Sequence, residues 1–128
     1  GVVYDEDEAN RGSLVTKISY GKFDLLLTGD LQGEEENEFI GQNDWSGVDY
    51  LQIPHHGSKN SYDEAWSANF KPQGVIISVG RNNSYGQPAQ VILDYWQKQG
   101  VNIYRTDQNG AVTITTNGLR WQVATYKQ

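Results

Sequence analysis

The sequence predicts an α/β fold in which β-α-β units lie between antiparallel hairpins at the two ends of the chain. Residues 25–27 and 74–79 are short and almost wholly apolar, as in strands that are covered on both faces. Residues 89–96 carry apolar side chains at positions i, i+3, i+4 and i+7, which is the stripe of an amphipathic helix. The dipeptides Asn109-Gly110 and Asn117-Gly118 are turn signals on either side of a further strand. Together these observations favour a layered domain of mixed strands and helices.

The elements follow one another in the order ββαβαβαβββ. Strands are expected over residues 13–20, 23–28, 48–53, 74–79, 101–105, 111–116 and 119–126. Helices are expected over residues 31–40, 61–70 and 88–99. Asp30 suits the N-cap of the first helix, and Ser61 with Glu64 has the capping-box spacing at the start of the second. Pro88 suits the first position of the third helix, and Gly100 marks its end.

Composition bounds the class of protein. The chain has 128 residues, a net charge of −6 and no cysteine. This length is that of one domain, with residues 1–12 expected to form a loose lead-in to a domain over residues 13–128. No apolar run approaches the ~20 residues of a membrane span, and the absence of cysteine excludes disulfides, thiol catalysis and zinc–thiolate sites. The excess of acidic residues disfavours binding to the phosphate backbone of a nucleic acid unless a metal ion or a local basic patch intervenes.

Three candidate functional side chains lie in loops at the ends of predicted strands. His55 and His56, the only histidines, follow a predicted strand and Pro54, and Asp30 follows the apolar strand over residues 23–28. Loops at strand ends carry the sites of α/β proteins. Each residue also has an ordinary interpretation: a structural or surface histidine for the pair, and a helix N-cap for Asp30. If the two strands are neighbours, one carboxylate and two imidazoles converge, a set that suits Zn, Mn or Fe.

Six segments in order resemble a known family. They begin with Asn10 and SLV at 13–15, and continue with LLTGD at 26–30, IPHHGSK at 53–59, ISVG at 77–80, NSYGQP at 83–88, and YRTD at 104–107 followed by GA at 110–111. Each segment alone is a weak signal, but six at matching spacing are a strong one. Together they resemble the C-terminal half of the metallo-β-lactamase-like domain of the ComEC family, the bacterial competence DNA-internalisation channel.

The resemblance implies a fold and a reaction. The fold would be half of an αββα sandwich, with a mixed sheet and about three helices. The reaction would be hydrolysis of phosphodiester bonds in incoming DNA, with two divalent metal ions, Mn or Zn, in the full domain. The parent protein would lie in the bacterial inner or plasma membrane, with this domain outside the cytoplasm and the membrane part outside this chain.

The resemblance also assigns residues. Asp30 would bridge the two ions and His55 would ligate the second one. His56 is placed among the catalytic residues, as a neighbour of the ligands or as an alternative ligand. The contacts to phosphate or DNA would come from Ser58, Lys59, Asn83 and Gln87. Lys59 also has the plain interpretation of a surface lysine.

Two departures limit these expectations. The first metal-binding motif of the superfamily, His-x-His-x-Asp-His or a close variant, does not occur in the sequence. Gln87 stands where the family pattern has histidine, and glutamine forms hydrogen bonds but does not titrate. We therefore expect a half-domain that is inactive alone, because it cannot supply all the ligands of a two-metal centre. The alternatives are a soluble hydrolase of the same fold acting on another ester, and a degenerate domain that guides DNA or binds a partner.

The sequence further predicts self-association. A half sandwich leaves one apolar sheet face without the partner that covers it, and large exposed apolar patches tend to find a partner. The expected partners are the missing N-terminal half of the domain, DNA in the full-length protein, and a second copy of this chain in a homodimer. The alternative is that the last hairpin, with Trp121, folds over this face and leaves a monomer.

Overall fold

The structure of the chain, a computed structural model, describes residues 15–31 and 44–127. The strands are β1 (Thr16–Tyr20), β2 (Phe23–Leu27), β3 (Tyr50–Gln52), β4 (Gly74–Ile77), β5 (Asn102–Arg105), β6 (Val112–Thr116) and β7 (Trp121–Thr125). The helices are α1 (Glu64–Ser67), α2 (Gln90–Lys98) and α3 (Thr106–Asn109), with short 3₁₀ turns at Pro54–Gly57 and Lys59–Ser61. The expected lead-in and the helix expected over residues 31–40 fall mainly outside the described residues.

Strands β1 to β5 form one mixed sheet in sequence order. β1 pairs antiparallel with β2, and β2, β3, β4 and β5 then pair in parallel, each with the next. β6 and β7 form a separate antiparallel hairpin. The predicted α/β class is confirmed: a mixed five-stranded sheet with about three helices, consistent with half of an αββα sandwich. The parallel strands matter for function because their carboxyl ends all meet at one edge of the sheet.

One face of the sheet carries the core. Leu26, Leu51 and Val75 are register partners on adjacent strands, and each is fully buried. The apolar stripe of α2 packs against this face through Ile92, Leu93 and Trp96. Burying each such side chain contributes about 1.5–3 kcal/mol relative to leaving it in water. The helical stripe expected from the sequence is therefore confirmed, and it fixes α2 beside the loops at the carboxyl edge.

The opposite face is covered only in part. Its buried end holds Phe23 and Tyr50, and the ring of Trp121 from the last hairpin lies 5.4 Å from that of Phe23, centroid to centroid. Beyond this cluster the face is half-buried at Leu25, Leu27, Ile76 and Tyr104. The expectation that residues 25–27 are buried on both faces is therefore wrong for two of the three, since only Leu26 is fully buried.

Self-association stays a prediction, with a sharper physical basis. The half-buried side chains of Leu25, Leu27 and Ile76 share one face of the sheet, and the hairpin does not bury them fully. We expect sedimentation across a concentration series to show a reversible dimer. A monomer at high micromolar concentration would mean that the hairpin cover is sufficient.

The starts of two helices differ from expectation. The N-cap of α1 is Asp63, whose carboxylate accepts from the Trp66 N–H at 2.9 Å, and not Ser61. The Ser61 hydroxyl is buried and lies 3.0 Å from the Pro54 carbonyl, so tertiary packing takes it away from the helix. In α2, Ala89 is the N-cap and Pro88 precedes it.

Asp49 joins three strands at the amino end of the sheet, and burial raises the pKa of its carboxyl above the ordinary value. The carboxylate accepts from the Asp24 N–H at 2.8 Å, and the Asp49 carbonyl accepts from the Gln73 N–H at 2.7 Å. Because the pKa of Asp49 is higher in the folded state than in the unfolded state, its stabilising contribution is complete below the unfolded-state pKa. That contribution is lost as pH rises through the folded-state pKa. The charged carboxylate therefore destabilises the folded state at neutral pH.

Asp49→Asn is therefore expected to raise the melting temperature at pH 7. Asparagine keeps an acceptor for the Asp24 N–H and removes the partly buried charge. The gain should vanish near pH 3, roughly where the wild-type carboxyl is also protonated. Thermal unfolding of both proteins at the two pH values measures it; an equal or lower melting temperature for the variant at pH 7 would contradict this account of Asp49.

Candidate functional site

The loops that follow β2 and β3 meet at the carboxyl edge of the sheet. Asp30 lies three residues beyond β2, and His55 lies three residues beyond β3. The His55 backbone N–H donates to the Gly29 carbonyl at 2.8 Å, so the two loops are in direct contact. The loops that carry Asp30 and His55 thus share one sheet edge, as expected, and it stays a prediction that their side chains share an ion or a water.

The histidine loop has an unusual backbone. His55 (φ 52°, ψ 45°) and His56 (φ 57°, ψ 22°) are both left-handed, and Gly57 follows at φ 76°. This conformation costs roughly 1–2 kcal/mol for each residue that is not glycine. Strain of this kind persists only where the surroundings enforce it, and it clusters at functional sites. Two consecutive strained histidines are therefore a pointer to function that the sequence pattern does not contain.

Three backbone hydrogen bonds enforce the loop. Besides the bond from His55 to Gly29, the Ser58 N–H donates to the His55 carbonyl at 2.9 Å, and the Ala89 N–H donates to the Gly57 carbonyl at 2.8 Å. The last bond anchors the loop to the start of α2. Buried hydroxyls hold the neighbouring strand ends in the same way: Thr28 Oγ1 donates to the Gln52 carbonyl at 2.6 Å. The edge is thus a rigid platform for the two imidazoles.

The two imidazoles have different partners. His56 Nδ1 lies 2.6 Å from the Ser78 carbonyl, which can only accept, so Nδ1 carries the proton in this bond. The other nitrogen, Nε2, is then the one that can accept a proton or a ligand. His55 Nδ1 is buried and has no hydrogen-bond partner among the described residues. A buried, unpartnered ring nitrogen is costly unless a ligand or water satisfies it.

A pocket of about 420 Å³ opens beside these rings. It is lined by His55, His56, Ser58, Asn60, Tyr85 and Gln87. Ser58 is buried, and its Oγ accepts from the Asn60 N–H at 3.2 Å. The Gln87 side-chain amide makes no hydrogen bond with any described residue and is available to a ligand. Four of the sequence-predicted residues, His55, His56, Ser58 and Gln87, therefore line the same space.

Asn83 has a different role from the expected one. Its Nδ2 donates to the carbonyls of Gly80 (3.2 Å) and Gln87 (2.8 Å). Its Oδ1 accepts from the backbone N–H groups of Tyr85 (3.2 Å) and Gln87 (3.1 Å). The amide has two donor and two acceptor positions, and all four are used. Asn83 thus organises the loop over residues 80–87, and its expected direct contact with phosphate has no free position.

Two cations lie at this edge without an ion-pair partner among the described residues. Lys59 is exposed between the pocket residues Ser58 and Asn60, and Arg81 is exposed in the loop after β4. Arg105, by contrast, is paired with Asp107 at 2.8 Å. Local positive charge is what a chain of net charge −6 needs at a site for an anion.

The donors present fit a part of a metal centre and not a whole one. The orphaned His55 nitrogen and the exposed Asp30 carboxylate are of the kinds that divalent ions take. Within residues 15–31 and 44–127, however, no group of three or more His, Asp or Glu side chains is close enough to hold an ion. Any dinuclear centre built here would need further ligands.

Sequence reasoning missed two members of the pocket, Asn60 and Tyr85. Asn60 carries no motif that would have distinguished it from any exposed asparagine. Tyr85 gave one signal, an aromatic residue in the middle of an otherwise polar loop over residues 80–86. Its side chain is 81% exposed at the pocket.

Comparison with known proteins gives three informative relatives; no family model matches the chain. It is 38% identical over 108 residues to ComE operon protein 3 of Bacillus subtilis (strain 168), covering 84% of this chain and 14% of that protein. It is 33% identical over 105 residues to Recombination protein 2 of Haemophilus influenzae, covering 82% and 13%. It is 30% identical over 106 residues to Competence protein ComA of Neisseria gonorrhoeae, covering 80% and 15%. The chain thus spans about a seventh of the length of these relatives.

Proposed function

Because the chain belongs to the ComEC family of competence proteins over the segment that it shares with them, we propose that it forms part of a metal-dependent phosphodiesterase acting on DNA during uptake. One relative is named a competence protein, one a ComE operon protein and one a recombination protein. Competence and recombination both involve DNA, and we therefore propose DNA as the substrate. The site residues support this proposal by their chemistry.

The observation that carries the proposal is the strained histidine loop beside the pocket. The left-handed backbone of His55 and His56 is strained, and a loop with relaxed residues at these positions would be more stable. This strain therefore favours a functional role for the loop over a chance surface conformation. The loop carries a buried, unpartnered His55 nitrogen and leaves His56 Nε2 as the accepting nitrogen. A site that handles a phosphate or a metal uses both.

The residues divide the work as follows. Asp30 and His55 would hold the part of a metal centre that this chain supplies; the bound ions would provide a hydroxide at neutral pH and neutralise charge on the phosphate. His56, with Nδ1 fixed on the Ser78 carbonyl, would take or return a proton at Nε2. The free amide of Gln87 would donate to a phosphate oxygen, and Lys59 would lie near the anion.

The proposal includes a membrane setting for the longer protein. No described helix is long and apolar enough to cross a membrane. For the parent protein we propose a membrane part outside this chain, with this domain facing away from the cytoplasm.

A second candidate is a domain that binds and guides DNA without cutting it. Gln87 favours this alternative, because the family pattern has a histidine there and glutamine cannot transfer a proton. Both candidates require phosphodiester binding at the pocket, and only the first requires metal at Asp30 and His55.

Binding of a phosphodiester is tested with the thymidine dinucleotide TpT and the two imidazole signals. With two histidines in the chain, each ring is assigned in a ¹⁵N NMR spectrum by one His→Ala variant. We expect TpT to shift both ring signals and Gln87→Ala to weaken binding about tenfold, the scale of one hydrogen bond to a charged group. Gln97→Ala, an exposed glutamine on α2, is the matched control and should bind like wild type. Unchanged imidazole signals at millimolar TpT would sink both candidates.

A further inference from the structure

The Tyr85 ring is exposed to solvent beside the pocket. The Tyr85 side chain is 81% exposed, yet its residue lines the pocket together with His56 and Gln87. A single exposed aromatic on a surface needs no explanation by itself. Its position beside the proposed phosphodiester site is what gives it meaning.

The backbone under this ring is held firmly. Asn83 Oδ1 accepts from the N–H groups of Tyr85 and Gln87, and Asn83 Nδ2 donates to the Gln87 carbonyl. Gly86 follows at φ 70°, in the left-handed region that favours glycine. The loop therefore presents the ring from a backbone held by hydrogen bonds, and the exposed ring is open to a flat partner.

We propose that Tyr85 is a stacking platform for a nucleobase next to the phosphodiester bound in the pocket, so that the site selects DNA with unpaired bases. This inference rests on the proposed function, because it needs the phosphodiester beside His56 and Gln87. An exposed ring stacks on the π-face of any base without reading its sequence. In a duplex those faces are covered by neighbouring base pairs, whereas a single strand offers them freely.

The charge of the chain points the same way. At a net charge of −6, long-range attraction to a polyanion is unfavourable, and among the described residues Lys59 and Arg81 are cations at this edge without an ion-pair partner. Affinity for DNA must then come from short-range contacts. An exposed tyrosine adds stacking on a base, and the phosphate oxygens of the DNA accept a hydrogen bond from the Gln87 amide.

The test compares short oligonucleotides by fluorescence anisotropy. The probes are labelled thymidine tetramers, the same tetramers with abasic sites in place of the bases, and a longer blunt-ended duplex without a loop, whose affinity is compared per phosphate. We expect Tyr85→Ala to weaken tetramer binding about tenfold, within the range for loss of one stacked base, and Tyr85→Phe to keep it. The abasic tetramer and the duplex should bind wild type about tenfold more weakly than the tetramer.

Tyr126→Ala is the matched control, because Tyr126 is 82% exposed and does not line the pocket. It should bind the tetramer like wild type. Equal affinity of Tyr85→Ala and wild type, or equal affinity for normal and abasic tetramers, would overturn the stacking role. If TpT still shifts the imidazole signals in that case, the proposed function stands and this inference alone fails.

Discussion

Gly57→Ala is expected to lower the free energy of unfolding by about 2–5 kcal/mol. Gly57 lies at φ 76°, where a residue with a Cβ is strained. An added Cβ would also come within 2.7 Å of the Pro88 Cβ and 3.1 Å of the Pro88 Cα. Because the Gly57 carbonyl accepts from the Ala89 N–H, the loop cannot move aside without losing its anchor to α2. Urea denaturation measures the loss.

Two neighbouring glycines separate the causes of this loss. At Gly86, φ is 70° but nothing lies within 4 Å of an added Cβ, so Gly86→Ala should cost only the backbone strain, about 1–2 kcal/mol. At Gly80 neither effect applies, and Gly80→Ala should change stability little. If Gly57→Ala cost no more than Gly86→Ala, the close packing of the histidine loop on Pro88 would be wrong.

A second prediction concerns nuclease activity. The purified chain is expected to show no appreciable nuclease activity with Mn²⁺ or Zn²⁺, because Asp30 and His55 supply too few ligands for a two-metal centre. The measurement is degradation of single- and double-stranded DNA against a buffer that contains the same metal. His55→Ala, purified identically, controls for contaminating nuclease. Metal-dependent degradation by the wild-type chain that His55→Ala abolishes would contradict the argument that the centre is incomplete.

Much of the fold and part of the site could be predicted from the sequence. Apolar runs and turn dipeptides located all seven strands to within a few residues, since burial and turn chemistry are local properties. The meeting of Asp30 with His55 followed from their places after parallel strands. Both are consequences of periodicity and sheet geometry.

The remainder depends on tertiary contacts that no local pattern encodes. The left-handed backbone of His55 and His56 runs against the propensity of histidine, and it is imposed by hydrogen bonds to Gly29 and Ala89. Likewise, Ser61 has the sequence of a helix cap, but its hydroxyl is close to the Pro54 carbonyl and Asp63 caps instead. The hydrogen bonds of Asn83 are local by contrast, since all of them lie within its own loop.

We propose that Asp30 and His55 hold a divalent metal ion at the carboxyl edge, and paramagnetic relaxation by Mn²⁺ detects an ion bound there. This measurement detects weak, partial occupancy and so does not require a complete centre. We predict that millimolar Mn²⁺ broadens the His55 ring signals strongly, and that Asp30→Asn reduces the broadening at least severalfold. Asp94→Asn, an exposed carboxylate on α2, should leave it unchanged. Equal broadening in wild type and Asp30→Asn, or none at His55, would contradict the assignment of this edge as a metal site.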